Sequence, residues 1–353
     1  MEIQKPEGFS KVSGQVIVEK FKEFLLRKYG NYIRAWRQGL STDGAMNLQK
    51  TQFLRACSQI GWLRENRVLW HAFDKDDSGE ISFDELDLNS ARVLAEFKKY
   101  VDARFGSAKA AFQVLDATGR SKVRLPEFAE ALRRNGFADP VRLLFNGLDW
   151  DKKEFLRCDD VLFLDKWTPL PFLLAAPNPR AMDEVKARLL QVFKTFLKAW
   201  RRILDKDGTN RCNWDEFSAA CEHIGFQGDA PGAWRALDTD LSGFISLREI
   251  DPESLEILSN FKDWADQEFG SVSSMFHVFD VDGSGFVAPR EFCHSCRIYG
   301  YEGSARLLFA ALDMERTGSI SLMGMLFLDK WKFEHEAPAE PERAGGPPKT
   351  PRT

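Results

Sequence analysis

At 353 residues, 44% hydrophobic and 29% charged, the chain has the make-up of a globular protein with a sizeable core and room for two or three domains. Its net charge is only −4, from 49 basic against 53 acidic residues, so no global field draws it to nucleic acid or to an anionic membrane surface. The six cysteines are scattered, which argues against a disulfide framework and for reduced thiols, and 29 Phe with 10 Trp against 5 Tyr predict an aromatic-rich core.

Residues 1–15 read as an N-terminal extension with no apolar run and no Gly at position 2, and no later stretch is apolar enough to span a bilayer. A soluble cytoplasmic protein is the expectation. Next, Phe21, Leu25, Tyr29, Tyr32, Ile33 and Trp36 recur at helical spacing and predict one long opening helix. The stretch AWRQGLSTDGAMNLQKTQFLRACSQIGW from Ala35 returns as AWRRILDKDGTNRCNWDEFSAACEHIGF from Ala199, a shift of 164. The same shift carries Phe105-Gly106-Ser107 to Phe269-Gly270-Ser271 and FLDKW from Phe163 to Phe327, so the relation is a gapless duplication across most of the chain.

Each copy contains twelve-residue segments rich in Asp, Ser, Gly and a terminal Glu. Calcium takes about six to eight oxygens, and such a loop supplies them from positions 1, 3, 5, 7 (a backbone carbonyl), 9 and a bidentate Glu at 12, with a sharp turn at 6. The first segment, 41–52, is degenerate, with Ala45 at position 5 and Gln52 at 12. The second, DKDDSGEISFDE at 74–85, fits throughout, with Asp74, Asp76, Ser78, the Glu80 carbonyl, Ser82 and Glu85 as ligands and Gly79 at the turn. The third, 116–127, puts Arg120 among the ligands, where a cation would repel the ion. The fourth, 149–160, has Lys153 at position 5, Glu154 at the turn and the shorter Asp160 at the end.

A connector at 168–180 follows, TPLPFLLAAPNPR, whose prolines forbid a continuous helix and whose apolar residues predict that it packs. The second opening stripe is Val185, Leu189, Phe193, Phe196, Leu197 and Trp200. In the fifth loop, 205–216, Asp205, Asp207, Thr209, the Arg211 carbonyl, Asn213 and Glu216 form the ligand set, and Asn210 stands where Gly is expected. Asn tolerates the left-handed backbone next best, so weaker binding is expected there. The sixth loop, DTDLSGFISLRE at 238–249, is complete with Asp238, Asp240, Ser242, the Phe244 carbonyl, Ser246 and Glu249. A connecting helix should start at Pro252 with Asp251 as its cap and end near Phe269-Gly270; in the first copy Asn89 or Ser90 is the expected cap. The seventh loop, 280–291, offers Asp280, Asp282, Ser284, the Phe286 carbonyl and Glu291, with Ala288 leaving position 9 to water. The eighth, 313–324, ends in Gly324 and lacks the bidentate ligand. Beyond Trp331 the tail 332–353 is rich in Pro, Gly, Glu and Ala and reads as disordered.

The loops start at 41, 74, 116, 149, 205, 238, 280 and 313, so 33-residue steps define four pairs. These loops resemble those of the EF-hand superfamily of calmodulin and troponin C, from about Val16 to Trp331. The strings FGSVSSMF, RIYGYEGSARLLFAALD and FLDKW are also similar to a group of repeat-built EF-hand proteins of dinoflagellate algae. The resemblance implies an all-α fold of helix-loop-helix pairs whose loops join as short two-stranded pairs. It implies two four-EF-hand lobes, 16–167 with one working loop and 181–331 with three, holding up to four calcium ions, or magnesium at rest.

The C-x-x-C of Cys293 and Cys296 has no second pair, and Cys57 and Cys221 are repeat equivalents, so all four read as core thiols. The five histidines form no triad or ligand spacing, and no phosphate loop or nucleophile elbow is present, so no enzyme activity is expected. Thr350-Pro351 in the tail fits a proline-directed kinase, although a solvated, unmodified tail is the simpler reading. Met314, Met323 and Met325 gather only at the last hand, unlike the Met-rich grooves of promiscuous sensors. The leading functional reading is a calcium-responsive signalling adaptor that engages a protein partner. The alternatives are a structural scaffold stiffened by calcium and a calcium buffer, the latter disfavoured by only three acidic ligands per complete loop.

Overall fold

The computed structural model describes residues 11–74, 78–137 and 140–331. Asp76, the tail 332–353 with Thr350-Pro351, and 1–10 of the N-terminal extension lie outside the described residues. The chain is mostly helical, an all-α fold in which, among the described residues, six short strands form three antiparallel pairs: β1 (Asn47–Gln49) with β2 (Glu80–Ser82), β3 (Val123–Arg124) with β4 (Phe155–Leu156), and β5 (Phe286–Val287) with β6 (Ile320–Ser321). The fifth and sixth loops meet through a single bridge, Cys212 opposite Ile245. In every case the residues opposite one another are position 8 of the two loops: Leu48 and Ile81, Val123 and Leu156, Val287 and Ile320. All eight are buried. A lone apolar residue between polar ligands has one face to hide, and the backbone pair across it satisfies its N–H and C=O.

The connecting helices run Leu88–Phe105 and Pro252–Phe269. The first is capped by Asp87, whose carboxylate accepts from the Ser90 N–H at 2.9 Å, rather than by Asn89 or Ser90. Asp87 also ends the short helix Phe83–Leu86, so one extended residue both stops one helix and starts the next. The opening helix is not continuous either. It stops at Tyr29; Gly30 turns with φ +90°, and Asn31 recaps the chain by accepting from the Arg34 N–H at 2.8 Å. In the second copy Lys194 (φ +71°) and Thr195, which caps Lys198 at 3.2 Å, do the same. Both copies then widen into π-helix, Ala35–Leu40 and Trp200–Leu204, before the first and fifth loops.

The chain divides into two compact units, Met1–Pro252 and Glu253–Thr353, and the division falls inside the second copy, at its connecting helix. In the first unit Trp36, Trp70, Trp200 and Trp234 are fully buried. The connector forms a turn of 3-10 helix, Pro171–Leu174, packed on both Leu88–Phe105 and Ala230–Leu237. Its Phe172 ring lies 5.5 Å from Trp214 and 5.3 Å from Trp234, so the connector packs as its apolar residues predict. In the second unit Phe292 meets Phe261, Phe279 and Phe309 with centroids at 6.0, 5.6 and 5.6 Å. No helix among the described residues is long and apolar enough to cross a membrane.

Candidate metal centre

One bond organises the loops. The N–H at position 6 donates to the carboxylate at position 1: Gly79 to Asp74 (3.3 Å), Ser121 to Asp116 (2.7 Å), Glu154 to Asp149 (3.1 Å), Asn210 to Asp205 (2.9 Å), Gly243 to Asp238 (3.3 Å), Gly285 to Asp280 (2.9 Å) and Gly318 to Asp313 (2.8 Å). Each of these turn residues has positive φ, including Asn210 at +64°. A small polar side chain visits that region at modest cost, which is why Asn can replace Gly. The first loop begins with Ser41 and replaces the bond by placing its hydroxyl 2.9 Å from Asp43 Oδ1 and 2.7 Å from the Ala45 carbonyl.

A second set of bonds draws the position 5 hydroxyl towards the position 7 carbonyl. Ser78 reaches Glu80 O (3.1 Å), Thr209 reaches Arg211 O (3.2 Å), Ser242 reaches Phe244 O (2.9 Å) and Ser284 reaches Phe286 O (2.9 Å). The same hydroxyls lie 3.3 to 3.4 Å from the position 1 carboxylates Asp74, Asp205, Asp238 and Asp280. Three predicted donors are therefore drawn together in each of the four loops that keep a terminal Glu and a position 5 hydroxyl.

The sixth loop goes furthest: carboxylate oxygens of Asp238, Asp240 and Glu249 all lie within 4.8 Å of one another. Asp238 is fully buried. Burial pushes its pKa up to about 6, against the pull of the Ser242 N–H and with the Glu249 and Asp240 charges adding to the rise. Glu249 is raised too, chiefly by burial. Its two oxygens accept from the Ser246 N–H (2.8 Å) and, across the loop, from the Thr239 N–H (3.0 Å). In the fifth loop Glu216 repeats this with Asn213 (3.1 Å) and Lys206 (3.0 Å), and burial carries Asp205 up to about 7. An all-oxygen donor set carrying more negative charge than its surroundings tolerate fits a hard divalent cation. Calcium held there would supply the charge these carboxylates lack.

The seventh loop is more open. Asp282 accepts from the Ser284 N–H at 3.0 Å, and Glu291 is bonded to the Ala288 N–H at 2.9 Å. In the second loop Glu85 accepts from the Ser82 N–H at 2.8 Å. The position 9 residues Ser82, Asn213 and Ser246 are turned to the ends of the exit helices: Asn213 accepts from the Glu216 N–H at 2.9 Å, and the two serine hydroxyls lie 3.2 and 3.0 Å from their terminal Glu.

The degenerate loops show what replaces an ion. In the fourth, Lys153 is ion-paired to Asp151, and Arg157 reaches Asp151 (3.2 Å) and Asp160 (3.8 Å). Arg34, from the recapped turn 115 residues earlier, donates to the Asp149 carbonyl (3.0 Å) and stands 3.9 Å from the Asp149 carboxylate. Side-chain cations fill this loop. The third holds its form through the Arg120 and Ser121 N–H groups on Asp116, with the Arg120 side chain exposed. In the eighth, Thr317 bonds Ser319 O at 2.8 Å, but Gly324 has no carboxylate to offer, and its N–H donates to the Ser321 hydroxyl. Arg34 could not be found from loop spacing, because it arrives through tertiary approach.

Residues 71–88, spanning the second loop, match the family model described as EF hand. The match supports the EF-hand superfamily, and with it calcium binding. No curated protein matches the chain.

Proposed function

We propose that the chain is a calcium-responsive sensor whose complete loops lie at 74–85, 205–216, 238–249 and 280–291, and which passes calcium occupancy on to a protein partner. The observation that carries this reading is the double engagement of Glu216 and Glu249. Each is the third residue of its exit helix and each spends one oxygen on the N–H at position 2. Turning both oxygens onto one ion would compete with that bond, and a shift of the carboxylate would carry with it the helix that begins at position 10, of which it is the third residue.

Engagement of a partner draws support from the duplication, which provides an internal comparison. Val281, Phe286, Ile298 and Met323 are 75, 53, 61 and 75% exposed, whereas their first-copy equivalents are Ala117, Lys122, Arg134 and Asp159. Apolar residues placed on the surface of one copy, where the other carries polar or smaller ones, favour a sensor over a buffer.

Calcium titration of the full chain, followed by heat and by a probe of exposed apolar surface, tests the reading. Up to four ions and a rise in probe binding are expected, and both should vanish in the combined Glu85→Gln, Glu216→Gln, Glu249→Gln, Glu291→Gln variant. Binding without any probe response would instead mark a scaffold or a buffer, and undiminished binding in the variant would overturn the ligand assignment.

A further inference from the structure

Arg235 sits in the last turn of the helix Ala230–Leu237 that enters the sixth loop, with its side chain 4% exposed. Its Nη1 stands 3.8 Å from Asp238 Oδ2, the first ligand of that loop. Neither its Nε nor its Nη1 has a hydrogen-bond acceptor, and Asp238 is the one carboxylate ion-paired to it among the described residues. A second cation acts on it: Arg92, on the first copy's connecting helix, whose Nη2 stands 4.0 Å from Glu96 Oε1 while its Nε is buried without an acceptor. Burial, then Arg92, lowers the Arg235 pKa, and Asp238 opposes both.

The fourth loop shows what such a cation does. There Arg34 stands 3.9 Å from Asp149, the position 1 carboxylate, as Arg235 stands 3.8 Å from Asp238, although Arg34 comes from a distant turn and also bonds the Asp149 carbonyl, and Lys153 and Arg157 pair with the loop's other carboxylates. The sixth loop keeps every ligand and has acquired only the first of those cations. The second loop, its repeat equivalent, has His71 at the matching place, exposed. We propose that Arg235 is a tethered competitor for calcium, which shares Asp238 with the ion, weakens the sixth loop below what its ligand set would give, and links its occupancy to Arg92 in the first copy. Two positive centres drawing on one carboxylate repel strongly in a poorly solvated setting, and the arginine cannot shed its proton to relieve this.

The proposal rests on calcium entering the sixth loop. The test therefore starts from the full chain carrying Glu85→Gln, Glu216→Gln and Glu291→Gln, which leaves that loop alone complete. Isothermal titration with calcium should show one ion in this parent. Adding Arg235→Met should tighten it at least tenfold, Arg235→Gln should act likewise if the Met variant does not fold, and Arg235→Lys, which keeps the charge, should stay within about threefold of the parent. Arg92→Gln should tighten binding in the same direction by less. A parent that binds while the neutral variants bind equally or more weakly overturns the competitor and leaves the sensor reading intact. Equal weakening by Met and Lys would mean a packing role, which also overturns it. If neither parent nor neutral variants bind, the ligand assignment of this loop fails and the competitor with it.

Discussion

The indole N–H of Trp200 donates to Asp205 Oδ2 at 3.1 Å, so the aromatic core of the first unit is bonded directly to the first carboxylate of the fifth loop. In the first copy Trp36 occupies the equivalent place and donates to the Ala45 carbonyl at 2.8 Å, where no carboxylate starts the loop. Occupancy of the fifth loop should therefore change Trp200 emission. Trp200→Phe should remove a distinct part of the calcium-induced fluorescence change and, by taking the indole donor from Asp205 Oδ2 while Asn210 and Thr209 still serve Oδ1, cost about 1 kcal/mol of stability. An unaltered fluorescence response in that variant would show the bond to be silent.

With Asp205 and Asp238 as ligands, as proposed, protons and calcium would compete for the same buried carboxylates. Asp205 and Asp238 are raised from 3.8 to about 7 and about 6. A carboxyl raised on folding contributes stability that is full below its unfolded value and lost as pH rises through its folded value. From these two groups, then, the calcium-free protein gains stability on acidification from about pH 7 towards 4, while calcium affinity at the fifth and sixth loops falls over the upper part of that window. Thermal melts with chelator and with calcium at pH 7.5, 6.5 and 5.5 should converge as pH drops. A calcium-induced shift independent of pH would contradict the buried setting of these groups.

Asn210 combines a left-handed backbone, φ +64°, with a buried Oδ1 that accepts no hydrogen bond. Asn210→Gly removes both penalties and adds only chain entropy to the unfolded state. Tighter calcium binding at the fifth loop is expected, with the melting temperature of the calcium-free form nearly unchanged because the terms offset to within about 1 kcal/mol. Weaker binding would mean that the Asn side chain itself helps to shape the loop.

Arg34 is 9% exposed, and its guanidinium serves the Tyr29 carbonyl (3.3 Å), the Asp149 carbonyl (3.0 Å) and the Asp149 carboxylate. Arg34→Ala would strand a buried carboxylate and open the recapped turn, at a cost of about 3 kcal/mol. Added calcium should not restore the loss, since Lys153 still occupies the loop, and urea unfolding with and without calcium reads this directly. Rescue by calcium would show the fourth loop to be a suppressed metal site.

Much of this was legible in the sequence because the loop is a local object. Twelve consecutive residues set the turn at position 6 and the terminal Glu at 12, the 33-residue steps set the pairs, and the resemblance supplied the short strand pairing between loops. The connecting helix Pro252–Phe269 was equally plain, with Asp251 and Pro252 at its start and Gly270 after its end. Gly30-Asn31 was a readable stop and restart, outweighed by an apolar stripe that keeps helical phase across the break. Asp87 was overlooked because it ends one helix while it caps another. Arg34 and Arg235 were out of reach on different grounds: one acts across 115 residues, and the other is an ordinary basic residue at a helix end until burial leaves it facing Asp238.

The strand pairs differ in what they join. β1 with β2 ties a complete loop to one that lacks its terminal Glu, β5 with β6 does likewise, and β3 with β4 ties two incomplete loops. Among the described residues only the bridge between Cys212 and Ile245, with N···O distances of 2.8 and 3.0 Å in its two directions, connects two complete ligand sets. Mutual assistance between ions needs two ions on one such tie, so a titration should resolve into two gradual single-ion curves and one steep two-ion step. The protein would then follow calcium smoothly with half of its sites and switch with the other half.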